Sequence, residues 1–141
     1  TRTAPGASLD LTTLDGDTGL RLGVPLDGAR IGEVVAGVGD LNRDGYDDLG
    51  IGMRDQTGND VDTGSVFVMF GKPSGFAADV DLTTLDGTTG FRFDAALNQV
   101  GQSFGMALSA GDLNGDGYAD LVLGTPIDNQ AAAAQVFVMF G

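Results

Sequence analysis

The feature that most constrains the fold of this chain is an internal repeat of about 70 residues. Residues 11–19 (LTTLDGDTG) match 82–90 (LTTLDGTTG), 71 residues further on, and VFVMFG occurs at both 66–71 and 136–141, which lie 70 residues apart. A repeat of this size is a supersecondary unit that cannot cover its own apolar surface, so it stacks on a neighbour. The chain is therefore predicted to contain two similar units packed against each other.

Each unit contains an acidic nine-residue segment, 40–48 (DLNRDGYDD) or 112–120 (DLNGDGYAD). Both follow the pattern D-x-N-x-D-G-x-x-D. In such a loop, oxygens at positions 1, 3 and 5 converge, glycine at 6 permits a sharp turn, position 7 offers its carbonyl, and position 9 closes the cage, as calcium requires. The sequence therefore predicts two calcium ions per chain. The ligands are Asp40, Asn42, Asp44, the carbonyl of Tyr46 and Asp48 in the first loop, and Asp112, Asn114, Asp116, the carbonyl of Tyr118 and Asp120 in the second.

The donor chemistry favours calcium over other metals. All proposed ligands are hard oxygens, and the chain has neither His nor Cys, so zinc and copper lack their preferred ligands. Magnesium accepts carboxylates, but it favours a rigid octahedron and keeps its waters, whereas a loop dense in protein oxygens suits the larger ion.

Two other interpretations of the acidic loops fit the sequence less well. Asp, Asn and Gly are ordinary turn residues, so a single D-G-x-x-D is more often a solvated hairpin than a site. An EF-hand requires a bidentate Glu at position 12 between two helices, but that position holds Ile51 and Leu123 and both neighbouring segments are typical of strands. The shorter segments that begin at Asp15 and Asp86 are predicted to be simple turns.

Composition and local pattern predict an all-β fold. The chain has 24 Gly and 19% charged residues, which is typical of short strands joined by tight turns. Four strands are predicted in the first unit, at 34–39, 48–53, 65–70 and 91–93. Residues 66–70 do not alternate between apolar and polar, so both faces of that strand should be buried, as in small sheets packed face to face. Radial repetition of such antiparallel four-stranded units is a β-propeller.

Further segments are similar between the two units: Ile31-Gly32 with 39–45 (GDLNRDG), and Phe104-Gly105 with 111–117 (GDLNGDG) and 120–126 (DLVLGTP). These segments resemble FG-GAP repeats, the blades of integrin α-subunit propellers and of many bacterial secreted proteins. The resemblance spans nearly all of residues 20–141 and implies a calcium ion in the hairpin between the first two strands of each blade. The step from Phe104-Gly105 to Asp112 is one residue shorter than the step from Ile31-Gly32 to Asp40, so a bulge is expected to differ between the units.

We interpret residues 1–141 as a single two-blade segment. Residues 20–71 supply one outer strand and the first strands of the first blade, and 72–141 supply the outer strand of that blade and the strands of the second. Residues 20–22 align with the outer strand 91–93, so the outer strand that the second blade lacks would come from residues 20–22 of another copy.

Two blades cannot close a propeller, whose usual range is four to eight blades. Three chains would give six blades and four would give eight, and a head-to-tail contact closes into a ring if the angle permits. A homo-oligomeric ring of three chains is favoured. The alternative is that the sequence is a piece of a longer chain.

Charge and residue content exclude several functions. A net charge of -13 with seven scattered Lys and Arg argues against binding to nucleic acid and anionic membranes. No apolar run approaches the 18 residues of a membrane span, so membrane insertion is not expected. There is no His to act as a general base and no Ser in a G-x-S-x-G context, so the chain is not expected to be an enzyme.

The leading functional hypothesis is a calcium-binding β-propeller module for extracellular recognition or adhesion, with a structural metal. A protein or glycan ligand would bind to loops, and the segments 54–63 and 94–102 are the predicted contact regions. One alternative is an ancillary scaffold domain of a secreted hydrolase such as a phospholipase. Another is a purely structural or engineered self-assembling unit without a ligand.

Overall fold

The computed structural model describes residues 8–57, 61–94, 104–125 and 134–141. In this part of the chain it contains nine strands, two short 3-10 helices and no α-helix. The 3-10 helices are Leu11–Thr13 and Leu82–Thr84; the strands are β1 (Arg21–Gly23), β2 (Arg30–Gly39), β3 (Asp48–Thr57), β4 (Val61–Met69), β5 (Asp79–Asp81), β6 (Gly90–Asp94), β7 (Ala107–Gly111), β8 (Asp120–Thr125) and β9 (Gln135–Met139).

The strands form two antiparallel blades and one small parallel pair. The first blade is a four-stranded sheet in the order β2-β3-β4-β6, and the second is a three-stranded sheet in the order β7-β8-β9. β1 and β5 pair in parallel. The predicted all-β class and the propeller-type blades are confirmed, and the parallel pair was not predicted.

The strands β3 and β4 are longer than the sequence pattern indicated. Their register continues without a break from Leu49↔Met69 to Thr57↔Val61. The prediction of a loop at 54–63 is therefore wrong for 54–57 and 61–63, because an antiparallel ladder continues as long as backbone groups meet, even where the side chains are polar. Residues 58–60, and all of the predicted loop 94–102 after Asp94, lie outside the described residues.

β4 is the buried centre of the first blade. Val66, Phe67 and Val68 are fully buried, and Met69 is 8% exposed. This confirms that both faces of the strand are covered, since β4 has β3 and β6 on its edges and neighbouring structure on each face. Strand formers such as Val and Phe fit this environment well.

The two blades pack face to face through a shared core. Val38, Val66 and Val68 of the first blade contact Phe104, Leu121 and Leu123. Glycines allow this close approach, since a Cβ built on Gly52 would collide with the carbonyl oxygen of Gly105, and one on Gly64 with that of Phe104. The interior of such a contact is close-packed, so added atoms there are costly.

A bulge at Val38 explains the one-residue difference between the units. In the first blade the register shifts between Gly37↔Leu49 and Gly39↔Asp48, which leaves Val38 as the extra residue. In the second blade Ala110↔Leu121 and Gly111↔Asp120 follow each other directly. The predicted difference is confirmed, and the additional valine is fully buried between the blades.

The opposite face of the first blade has its own core. Ile51, Met53 and Phe67 pack against Leu82 of the second 3-10 helix. Leu22 within β1 and Val24 just after β1 lie against them. β1 is held beside β5 by backbone pairing and by the bidentate contact of Arg21 with Asp79 at 2.6 and 2.8 Å. Because that ion pair is exposed, it contributes little to stability.

The segment 86–89 is a turn, as predicted, and the structure shows that it is of the Asx type. The Asp86 carboxylate accepts hydrogen bonds from the Thr88 hydroxyl (2.7 Å), the Thr88 amide (2.9 Å) and the Thr89 amide (3.1 Å). Asp15 is bound in the same way by Thr18 and the amide of Asp17. Such turns are stabilised by side chains that accept hydrogen bonds from nearby backbone amides.

The hydrogen bonds from Thr88 lower the pKa of Asp86 to about 2. A depressed carboxyl pKa stabilises the fold above the unfolded-state pKa of about 3.9, and this contribution is lost as the pH falls towards about 2. We expect the side-chain carbon of Asp86 to titrate near pH 2 by NMR. We also expect the stabilities of the wild type and Asp86→Asn to converge between about pH 4 and pH 2. A carboxyl that titrates near pH 4 would contradict the turn geometry.

Neither of the two 3-10 helices in the described part of the chain has the length or the apolar character to cross a membrane.

Candidate metal centre

The two acidic segments form the hairpin loops between the first and second strands of each blade. Residues 40–47 connect β2 to β3, and 112–119 connect β7 to β8. Positions 4 and 6 of each loop are left-handed. The first loop has φ of 65° at Arg43 and 90° at Gly45, and the second has 78° and 91° at Gly115 and Gly117. Glycine adopts this conformation without cost.

Arg43 is the only non-glycine residue with positive φ in the described part of the chain. A side chain in this region costs on the order of 1–2 kcal/mol, which the surrounding loop must offset. The second loop avoids the cost with Gly115 at the same position. The loop pattern predicted a glycine turn only at position 6, and the glycine at position 4 of the second loop, Gly115, was the signal that position 4 is also left-handed.

In the first loop, side-chain oxygens accept hydrogen bonds from the loop's own backbone. Asp40 accepts from the amides of Asp44 (3.0 Å) and Gly45 (2.7 Å), and Asn42 accepts from Asp44 (3.1 Å). Asp44 accepts from the amide of Tyr46 at 2.9 Å and from the Asn42 side chain at 2.8 Å. The first three predicted ligands are thus drawn together by one tight turn.

The second loop repeats these contacts. Asp112 accepts from the amides of Gly115 (2.7 Å), Asp116 (3.1 Å) and Gly117 (2.9 Å). Asn114 accepts from the Asp116 amide at 3.0 Å, and Asp116 accepts from Tyr118 at 2.9 Å. The two loops therefore adopt the same geometry although they differ at positions 4 and 8.

The aspartate at position 9 is buried and has a second role that the loop pattern did not predict. Asp48 is 2% exposed; its Oδ2 accepts from Leu41 and its Oδ1 from Gly71, both at 2.9 Å. Asp120 is fully buried and accepts from Leu113 at 2.6 Å and Gly141 at 3.1 Å. Each aspartate thereby ties its loop to the residues that follow the third strand of the blade.

Burial raises the pKa of the Asp48 carboxyl. The amides of Gly71 and Leu41 oppose this effect, while the charges of Asp44 and Asp40 increase the pKa further. Burial disfavours the ionised form, and like charges add to that penalty. The three carboxylates of the first loop are therefore close enough to repel one another.

The donor set of each loop fits a hard divalent cation. The oxygens are carboxylate, amide and carbonyl groups, which calcium prefers. An ionised carboxylate has about four lone-pair sites, so the hydrogen bonds above leave acceptor positions for a cation. Among the described residues, no three acidic side chains converge into a formed metal cluster. Binding would therefore require the carboxylates at positions 1, 5 and 9 to turn towards one centre.

Arg43 connects the two loops. Its guanidinium carbon lies 3.6 Å from the centre of the Tyr118 ring. The pKa of Asp116 is lowered first by the amide of Tyr118, then by the side chain of Asn114, and also by the charge of Arg43. A guanidinium over an aromatic face is favourable, so this residue joins the loop of one blade to that of the next.

We expect Arg43→Ala to lower the free energy of unfolding by about 0.5–1 kcal/mol, the usual value of an exposed cation–π contact. Urea unfolding followed by circular dichroism would measure it. Arg30→Ala is the matched control, because its 3.8 Å contact with Glu33 is a surface ion pair and should change stability by less than about 0.5 kcal/mol. Equal effects of the two substitutions would argue against the inter-loop contact.

Comparison with known proteins agrees with this geometry. The model of the FG-GAP repeat matches residues 104–139. The chain is 36% identical over 104 residues, 70% of its length, to integrin alpha-PS5 of Drosophila melanogaster, of which it covers 9%. It is 34% identical over 96 residues (67% of the chain, 8% of the relative) to integrin alpha-5 of Xenopus laevis, and 30% identical over 102 residues (72% and 8%) to integrin alpha-6 of Homo sapiens. The chain thus spans about a tenth of the length of these curated relatives.

Proposed function

Because this chain belongs to the FG-GAP repeat family, we propose that it is a calcium-binding β-propeller module for extracellular recognition or adhesion, in which the metal is structural. The observation that carries the proposal is the repetition of one loop geometry. The same oxygen donors occupy the same positions of the same hairpin in both blades. A turn that served only to reverse the chain would not need carboxylates at positions 1, 5 and 9 in both copies.

A structural role for the metal follows from the hydrogen bonds that two of the proposed ligands make outside their loops. Asp48 and Asp120 link each loop to the end of the third strand through Gly71 and Gly141. A bound calcium supplies two positive charges that offset the mutual repulsion of the loop carboxylates. Since the unfolded chain lacks a formed site, this binding free energy becomes folding free energy.

The extracellular setting and the ligand class rest on the relatives and on the metal. The similar proteins named above are integrin α chains, and calcium-dependent loops are reliably filled where calcium is abundant, outside cells. We propose that a protein or glycan partner is recognised by loops on a face of the propeller. We assign no catalytic role to the chain.

Tyrosine offers a direct test of metal binding. The chain has two Tyr and no Trp, and the two are Tyr46 and Tyr118, at position 7 of the two loops. Terbium binds to calcium sites and emits when an adjacent tyrosine is excited. We expect sensitised terbium emission on titration, with displacement by calcium at much lower concentration than by magnesium.

Tyr46→Phe and Tyr118→Phe are matched variants for this experiment. Each removes one sensitiser but retains the backbone carbonyl that serves as the ligand, so each variant should lose about half of the emission and bind calcium unchanged. Absence of sensitised emission in the wild type would contradict the proposed function. Displacement by magnesium as effective as by calcium would contradict the metal assignment.

A further inference from the structure

We propose that the Asn114–Gly115 peptide of the second loop is a site of spontaneous deamidation, which converts Asn114 to aspartate or to isoaspartate, its isomer with a lengthened main chain. The sequence contains one Asn-Gly pair, and it lies at this position. The corresponding pair in the first loop is Asn42-Arg43. The two loops therefore differ in chemical stability although they share one geometry. This inference does not depend on metal binding.

Deamidation is a reaction between the asparagine side chain and the peptide bond that follows it. The amide nitrogen of Gly115 loses its proton to water and forms a bond to the carboxamide carbon of Asn114. The carboxamide nitrogen takes up a proton and leaves as ammonia. Water then cleaves either C–N bond of the cyclic succinimide, which gives an aspartate or an isoaspartate at position 114. The net reaction consumes water and releases ammonia.

The fold holds the carboxamide of Asn114 against this peptide bond. Its oxygen accepts a hydrogen bond from the Asp116 amide at 3.0 Å, and its nitrogen donates to the Asp116 carboxylate at 2.9 Å. A side chain that bonds to the amide two residues ahead curls back over the peptide bond that follows it. The carboxamide carbon is therefore kept beside the nitrogen that attacks it, and the Asp116 amide stabilises the negative charge that develops on the oxygen.

Asp112 positions the attacking nitrogen. One oxygen of its carboxylate accepts hydrogen bonds from the Gly115 amide at 2.7 Å and from the Asp116 amide at 3.1 Å. These bonds fix the plane of the Gly115 peptide, and a charge-assisted hydrogen bond also polarises the N–H group towards the acceptor. Because Asp112 does not itself react, we assign it as a positioning residue.

Gly115 leaves the approach to this nitrogen open. A Cβ built on Gly115 would have no neighbour within 4 Å apart from the adjacent residues. Glycine has no Cβ, so the steric obstacle that other residues place beside the amide nitrogen is missing. Asn114 and Gly115 are both exposed, which gives water access for the proton transfers and for hydrolysis of the ring.

The first loop is a natural control. Asn42 makes the same two contacts, with its oxygen 3.1 Å from the Asp44 amide and its nitrogen 2.8 Å from the Asp44 carboxylate. The next residue is Arg43, which has a Cβ beside the amide nitrogen and a guanidinium held over the Tyr118 ring. The residue at position 4 thus decides which of the two loops reacts.

Deamidation changes the second loop in a defined way. Either product adds a negative charge close to Asp112 and Asp116. The aspartate product keeps an oxygen donor at position 3, as in the D-x-D-x-D-G pattern of other calcium loops. The isoaspartate product adds a methylene group to the main chain between positions 3 and 4, which moves the donors on either side apart.

Peptide mapping by mass spectrometry tests the proposal on the folded chain, incubated at neutral pH with a chelator. We expect the mass change from amide to acid to accumulate at Asn114 about tenfold or more faster than at Asn42, because a Cβ that displaces the reacting atoms costs at least that factor. Equal rates at the two residues would overturn the proposal. So would an Asn114 that stays intact in the folded protein while it deamidates in the urea-unfolded chain.

Exchange of the residue at position 4 tests the assignment in both directions. Gly115→Arg should suppress deamidation of Asn114, and Arg43→Gly should make Asn42 deamidate at a rate comparable to that of Asn114. Each variant gives its loop the residue that the other loop already carries at a left-handed position, so both are expected to fold. An Asn42 that stays intact in Arg43→Gly would overturn the proposal.

The role of Asp112 is tested with a conservative and a non-conservative substitution. Asp112→Ala removes the acceptor of the Gly115 amide and should slow deamidation of Asn114 by about tenfold, whereas Asp112→Asn keeps a side-chain oxygen and should recover most of the rate. In urea the loop geometry is lost, so the wild type and Asp112→Ala should react equally fast. An unchanged rate for Asp112→Ala in the folded protein would overturn the positioning role.

Discussion

Calcium at one hundred times its dissociation constant is expected to stabilise the protein by about 2.7 kcal/mol for each filled loop, or by about 5 kcal/mol for both. The physical reason is that a bound cation offsets the negative charge of the loop carboxylates, and that the unfolded chain has no equivalent site. In the first loop, burial, and to a smaller extent the charges of Asp44 and Asp40, raise the pKa of Asp48. Urea unfolding with calcium and with a chelator measures the difference. The same stability under both conditions would contradict a structural metal.

Asp44→Asn should remove about half of that calcium-dependent stabilisation. Asp47→Asn is the matched control, because Asp47 is an exposed carboxylate of the same loop at position 8, where the second loop has Ala119. It removes the same charge without removing a proposed ligand. If the two substitutions reduced the calcium effect equally, the loop would respond to net charge and would not bind a cation specifically.

Phe67→Ala should lower the free energy of unfolding by about 3–5 kcal/mol, the usual cost of truncating a fully buried phenylalanine. Phe67 has no exposed surface and packs with Ile51, Met53 and Leu82. The substitution leaves a cavity in the centre of the first blade. Thermal or urea unfolding, followed by circular dichroism, gives the value.

Phe137→Ala is the matched control, at the corresponding position of the second blade, where the side chain is 44% exposed. Because this side chain is already partly exposed to solvent, its truncation should cost clearly less free energy of unfolding than that of Phe67. Equal costs of the two substitutions would show that the blades are buried alike in a single chain.

Much of the fold was predictable because each unit carries strong local signals. The two acidic loops and the VFVMFG strands fixed the hairpins and the blade centres. The extra residue before Asp40 correctly indicated the bulge at Val38. Such features depend on neighbours in the sequence, and sequence patterns report them well.

Other features could not be predicted because they depend on contacts between distant segments. The parallel pairing of β1 with β5 is a tertiary contact without a periodic signature. The identical LTT segments at Leu11 and Leu82 differ in burial only because one of them has a blade beneath it. The mostly polar sequence of 54–57 and 61–63 indicated a loop, although backbone pairing extends the strands through these residues.

The hairpin loops of the candidate site were predictable from the sequence, but their contacts with distant segments were not. The loop pattern predicted the donors, which stay a prediction, and it gave Asp48 and Asp120 a metal role alone. Their hydrogen bonds to Gly71 and Gly141 connect residues more than twenty positions apart, which no loop pattern encodes. The contact of Arg43 with Tyr118 likewise spans the two blades.

The most direct test of the central claim is the number of calcium ions bound per chain, measured by calorimetry or equilibrium dialysis. We expect two ions for the wild type, one for Asp44→Asn and one for Asp116→Asn, and none for the double variant. A wild type that binds no calcium, or a double variant that still binds two ions, would contradict the assignment of the two loops.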